Sequence, residues 1–179
     1  REKHLARRRR RKFKNAKLTF YAGEFKWTKV QLDVLKAATS KLIANDALQL
    51  SLIIGDNIAA DSSLDPLTLY AHADLHCFRN HLDSALFALD TLERLYPSHP
   101  IADETIFKKA EIYKKQKQYV LADTLFRSVT SQFPTDILAD DALYNAAEIE
   151  QFFLKDLEKA KATYFKLISD YPDSIFVVE

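Results

Sequence analysis

Residues 101–134, IADETIFKKAEIYKKQKQYVLADTLFRSVTSQFP, decide the fold. Within them Ala110, Ala122 and Pro134 stand twelve residues apart. The spacing returns on both sides, as Ala73, Ala85 and Pro97 before and as Ala147, Ala160 and Pro172 after, with one step of thirteen in the last set. The period is thirty-seven residues. Repetition at that length marks a supersecondary unit that buries its apolar face by stacking on copies of itself. The first alanine falls midway along a first helix and the second early in a second helix, where a small side chain lets helix backbones approach closely. The proline follows the second helix because it cannot extend a helical hydrogen-bond ladder. Larger apolar residues keep the same register. Leu69, Ile106 and Leu143 lie four before the first alanine, Leu82, Tyr119 and Leu157 three before the second, and Leu89, Phe126 and Tyr164 four after it. That is one helical stripe written three times.

These positions resemble the tetratricopeptide repeat, whose pattern has a small residue at its eighth position, alanine at its twentieth and proline at its thirty-second. All three units match. The large aromatic of the fourth position is aliphatic here, and the glycine of the inter-helix turn is replaced by Asn80, Lys117 and Lys155. The last unit carries one extra residue near Phe153 to Asp156. Strings such as Ile101-Ala102-Asp103-Glu104 and Leu138-Ala139-Asp140-Asp141 look like the variant common in bacterial cell-envelope proteins. The resemblance implies an all-α, right-handed α-solenoid of antiparallel helix pairs, with repeats at about 65–100, 101–137 and 138–174 and the start of a truncated next unit. It also implies a periplasmic or envelope setting in a larger bacterial protein, with the cytoplasm as the alternative. With no methionine, an opening on Arg1 and a stop where a further first helix is due, the chain is expected to be part of a longer protein, whose other parts are among its partners.

Residues 1–64 follow the same ruler loosely. Ala16, Gly23, Phe25, Thr28, Leu32 and Leu35 fall on repeat positions, which predicts a degenerate helix pair from about 9 to 42. One further apolar helix is expected over 46–60, with Leu48, Leu52, Ile53 and Ala59, before Asp61 to Asp65 breaks the pattern and Asp65-Pro66 restarts it. Two glycines, five prolines and 47 % hydrophobic residues suit a helical array. Charge is divided unevenly: the first seventeen residues hold ten Lys or Arg against Glu2 alone, the remainder sixteen against twenty-four acids. The basic core, Arg7, Arg8, Arg9, Arg10, Arg11 and Lys12, reads either as a solvated helix or as an anion-binding surface for nucleic acid, an acidic membrane surface in peripheral association, or an acidic protein. No aromatics interleave the arginines, so nucleic acid is the weaker partner.

Chemistry-bearing constellations are sparse. His72 and His76 lie four apart with Asp74 and Cys77 nearby, but two histidines do not complete a metal site, and no metal or cofactor is expected. His81 and His99 fall in turns. A single cysteine excludes an internal disulfide, and no nucleophile elbow or phosphate loop is present. The chain therefore reads as non-catalytic, with its function on a surface. The resemblance places the first helices on a concave face. There it implies an aromatic row, Tyr70, Phe107 and Tyr144, beside an acidic row, Asp74, Glu111 and Glu148, with Phe78, Lys114 and Phe152 completing a groove for a peptide or helix of a protein partner. Glu111 has Lys115 four residues on, whereas Asp74 and Glu148 have no such neighbour.

Overall fold

The computed structural model describes residues 2–36, 41–60 and 63–177. It is built of α-helices, with no strand among the described residues. The chain packs as two compact units, residues 1–101 and 102–179, so the boundary expected at 64/65 lies inside the first. No described helix is long and apolar enough to cross a membrane.

The first unit holds α1 (Glu2–Tyr21), α2 (Phe25–Lys36), α3 (Lys41–Ala60), α4 (Asp65–Phe78) and α5 (Leu82–Leu95). Helices α1 and α2 lie where the ruler placed a degenerate pair from about 9 to 42. Ala16, Phe25, Thr28, Leu32 and Leu35 are buried, and Gly23 takes a positive φ of 77° in the α1–α2 turn, a conformation that only glycine adopts without cost. Helix α3 corrects its expected face: Ala47, Leu50, Ile53 and Ile54 form its core side, while Leu48 and Ala59 are exposed. Part of the expected break, Asp61 and Ser62, lies outside the described residues. Pro66 occupies the first turn of α4, where its missing N–H costs nothing.

The second unit holds α6 (Ala102–Lys115), α7 (Tyr119–Gln132), α8 (Ala139–Glu148) and α9 (Leu157–Asp170). Ala110, Ala122, Phe126, Val129, Leu138, Ala142, Ala146 and Ile149 form one buried cluster, with Phe107 and Tyr119 packed against it. All six repeat alanines, Ala73, Ala85, Ala110, Ala122, Ala147 and Ala160, are buried as the close-packing argument requires. The turns repeat as well: Asn80, Lys117 and Lys155 take φ of 60°, 61° and 60° where the family pattern has glycine. The extra residue of the last repeat is absorbed upstream of its expected place. Helix α8 runs on into a π-helical turn, Ile149–Leu154, before Lys155 ends it.

The segments leading into each next helix share a device that the sequence reading did not find. Two residues after Pro97, Pro134 and Pro172, a side chain accepts the N–H two positions further on. His99 Nδ1 accepts from Ile101 at 3.3 Å, Asp136 Oδ1 from Leu138 at 2.8 Å and Ser174 Oγ from Phe176 at 3.3 Å. Each bond satisfies an amide ahead of the residue that anchors the segment.

Candidate functional site

Of the groove residues expected from the repeat pattern in residues 1–101, Tyr70 and Asp74 are drawn into packing. Tyr70 is 5 % exposed and Asp74 is 8 % exposed. Asp74, with no partner four residues away on its own helix, finds them on another: Lys17 of α1 reaches its Oδ2 at 2.7 Å, and the Tyr21 hydroxyl donates to the same oxygen at 2.9 Å. Helix α1 thus covers the middle of α4. Phe78 remains exposed, with its ring 6.4 Å from that of Tyr21.

In residues 102–179 the aromatic row serves as seating for the segment that follows each helix pair. Phe107 is half-buried with its ring edge-on to Phe126 at 5.2 Å, against the cluster that contains Leu138. Tyr144 stacks on Phe176, which stands four residues after Pro172 as Leu138 stands four after Pro134, with centroids 4.2 Å apart. Tyr144 also meets Tyr164 edge-on at 6.4 Å. These contacts are the offset and edge geometries that aromatic quadrupoles favour.

The acidic row of this unit carries its own counter-ions. Glu111 pairs with Lys108 at 2.6 Å rather than with Lys115. Glu148, which has no partner four residues away on its own helix, accepts from Lys114 at 3.0 Å, and Lys114 also donates to Asn145 Oδ1 at 2.8 Å. Because Lys114 belongs to α6 and Glu148 to α8, that pair ties the two first helices together. Phe152, on the π turn beyond Glu148, is 53 % exposed. In this unit Phe152 thus stays exposed, while Glu111, Lys114, Tyr144 and Glu148 are partly exposed.

Two buried acids in this unit had no sequence signal. Glu150 in the π turn is fully buried. It accepts from Arg127 and Lys159, the latter at 3.2 Å, and from the Thr163 hydroxyl at 2.7 Å, while Lys159 also reaches Asp123 at 2.5 Å. Burial works against the ionised Glu150, but the Thr163 and Arg127 hydrogen bonds outweigh it and hold the carboxyl below its ordinary value. For Asp123 burial wins, aided by the nearby Glu150 charge, and its pKa is raised. The partners of Glu150 lie 9, 13 and 23 residues away on two other helices, so a single sequence could not pair them. Glu104, at the start of α6, is the opposite case: burial, then the bond and charge of Asp103, push its pKa up to about 10, and its Oε2 has no hydrogen-bond partner among the described residues. It is a neutral acid at neutral pH.

Arg7, Arg8, Arg10, Arg11 and Lys12 are exposed on α1, and Arg9 is half-buried. His72 is exposed and His76 half-buried beside His81, with rings 6.2 Å apart. No group of metal-ligating side chains occurs among the described residues.

The tetratricopeptide repeat family model matches residues 104–136 and 141–174, the two helix pairs α6–α7 and α8–α9. No curated protein matches the chain. The matched segments hold the buried Ala110, Ala122, Ala147 and Ala160, the left-handed turns at Lys117 and Lys155 and the helix pairs described above, so residues 104–136 and 141–174 are two tetratricopeptide repeats.

Proposed function

We propose that this chain is a protein-interaction scaffold whose partner engages the open first-helix face of residues 102–179. Tetratricopeptide repeats are protein-binding scaffolds in general, and Phe152 is the observation that carries the reading to this face. It is a large aromatic left more than half exposed among half-exposed polar residues that the repeat packing already holds in place. Such a residue offers apolar contact area at little ordering cost, as interface anchors do. Because Glu111 and Glu148 are already paired with lysines, the face selects its partner by aromatic contact more than by sign of charge. The ligand fitting this description is a peptide or helix with an apolar anchor and flanking polar groups. The test is selection of peptides from a display library on the full chain, followed by affinity measurement. Phe152→Ala should weaken selected peptides roughly tenfold, while Glu148→Gln costs about threefold or less. Ser131→Ala on α7 should leave affinity unchanged. Affinity indifferent to Phe152→Ala would remove the face from consideration.

A further inference from the structure

The first unit carries a surface that the scaffold reading does not use. On α1, Arg7, Arg11, Lys14 and Leu18 recur at helical spacing along one stripe, and all four are exposed. On α2, Trp27, Val30 and Val34 do the same. The hydrogen bonds fix which way these stripes face. Thr19 bonds Thr28 at 2.8 Å and accepts from Gln31 at 3.1 Å, which sets the α1–α2 contact. Lys17 and Tyr21 turn toward Asp74 of α4, and Lys29 and Lys36 turn toward Ser51 of α3. Helices α3 and α4 therefore lie on one side of the α1–α2 hairpin. Each exposed stripe points away from the residues its own helix buries, Ala16 and Phe20 on α1 and Thr28, Leu32 and Leu35 on α2.

The composition of that face is specific. Leu18, Trp27, Val30 and Val34 are each more than half exposed, so nothing apolar in it is recessed. No ion pair among the described residues engages Arg7, Arg11 or Lys14, and Lys26 adds a further exposed cation. Of the acids nearby, Asp33 is held by Lys36 at 2.7 Å and Lys29 at 3.8 Å, Asp46 of α3 lies within the field of Lys17, and Glu24 is exposed in the turn. We propose that the outer face of the α1–α2 hairpin docks on an anionic lipid bilayer surface, with Arg7, Arg11 and Lys14 against the headgroups and Trp27, Val30, Val34 and Leu18 in the interfacial layer. Protruding tryptophan and aliphatic side chains beside unpaired cations are what an interface with apolar depth and negative charge accommodates. A phosphate backbone uses the cations but leaves the four apolar side chains without a role. A partner helix needs a groove to seat its own apolar face, and this one has none of its apolar residues recessed.

Trp27 is the single tryptophan of the chain and reports on the proposal directly. The full chain is titrated with phosphatidylcholine vesicles carrying about 30 % phosphatidylglycerol, and with pure phosphatidylcholine vesicles. Anionic vesicles should shift tryptophan emission to the blue and sediment the protein, and neutral vesicles should do neither. The combined Arg7→Gln, Arg11→Gln, Lys14→Gln variant should partition roughly a hundredfold more weakly. Val30→Ser with Val34→Ser should retain weak sedimentation and lose much of the blue shift. All five positions are exposed, so unchanged helicity by circular dichroism is expected of both variants. Absence of sedimentation with anionic vesicles would overturn the proposal. So would sedimentation without a blue shift, or duplex DNA binding that is tighter than vesicle binding at the same salt, which would reassign the cations to nucleic acid.

Discussion

Lys117 sits at φ 61° in the turn between α6 and α7, a conformation that costs a residue with a Cβ about 1–2 kcal/mol. Glycine relieves that strain and returns about 0.5–1 kcal/mol of it as unfolded-chain entropy. Lys117→Gly should therefore stabilise the second unit by about 0.5–1 kcal/mol in urea melts, and Lys117→Val should destabilise it. This position was legible in the sequence, because Asn80, Lys117 and Lys155 all fall where the repeat pattern has glycine. Glu104 was not, since nothing in the string Ala102-Asp103-Glu104 distinguishes a buried acid from a solvated helix-start charge. Its raised pKa sets the sign of a pH effect. Below the ordinary carboxyl range both folded and unfolded chains hold the proton and the native state bears no penalty. As pH rises toward the folded value of about 10 the unfolded chain alone ionises, so stability is lost. Glu104→Gln keeps the shape and removes the titration. It should raise stability at pH 8 by about 1–3 kcal/mol and flatten the melting temperature between pH 5 and pH 9. An equally steep pH dependence in the variant would show that Glu104 is ionised in the fold.

The helices were legible because their burial is periodic, and the parts that were not legible have a common cause. Every alanine of the repeat is buried, and Ala110→Leu or Ala122→Leu should overpack a helix contact and cost about 1–3 kcal/mol in thermal melts. Unchanged stability would mean the contact has room the structure does not show. The step of thirteen between Ala147 and Ala160 announced an extra residue. Its absorption in the π turn Ile149–Leu154 depends on what Glu150 meets across the unit. There Arg127, Lys159 and Thr163 converge on one carboxylate from α7 and α9, contacts a linear reading cannot assemble. Glu150→Ala leaves the partly exposed Arg127 and Lys159 without it and should cost about 1–3 kcal/mol, less than a fully buried pair because water can reach both cations. The same limit applied to the groove. Tyr70 and Asp74 sit at the right repeat positions, but both are buried, Asp74 under Lys17 and Tyr21 of α1, a neighbour distant in sequence. His99, Asp136 and Ser174 perform one role with three residue types, so their recurrence left no trace in the pattern.

At the scale of the molecule the chain offers two surfaces of different character: the aromatic face of the matched repeats around Phe152, and the basic, tryptophan-bearing face of α1 and α2. Ionic strength separates them. Partner binding at Phe152 should vary little with salt, because the neighbouring carboxylates are already paired, whereas binding through Arg7, Arg11 and Lys14 should fall steeply as salt rises. Apolar surface also remains on α9, where Leu157, Phe165 and Ile168 are exposed and line a shallow hollow with Gln151 and Tyr164. That hollow competes with the Phe152 face as the place a peptide settles, and a footprint distinguishes the two. Hydrogen–deuterium exchange on the full chain with a display-selected peptide reads both at once. The scaffold reading predicts slowed exchange along residues 104–115 and 141–152. Slowing confined to α7 and α9, with the first helices unchanged, would contradict it.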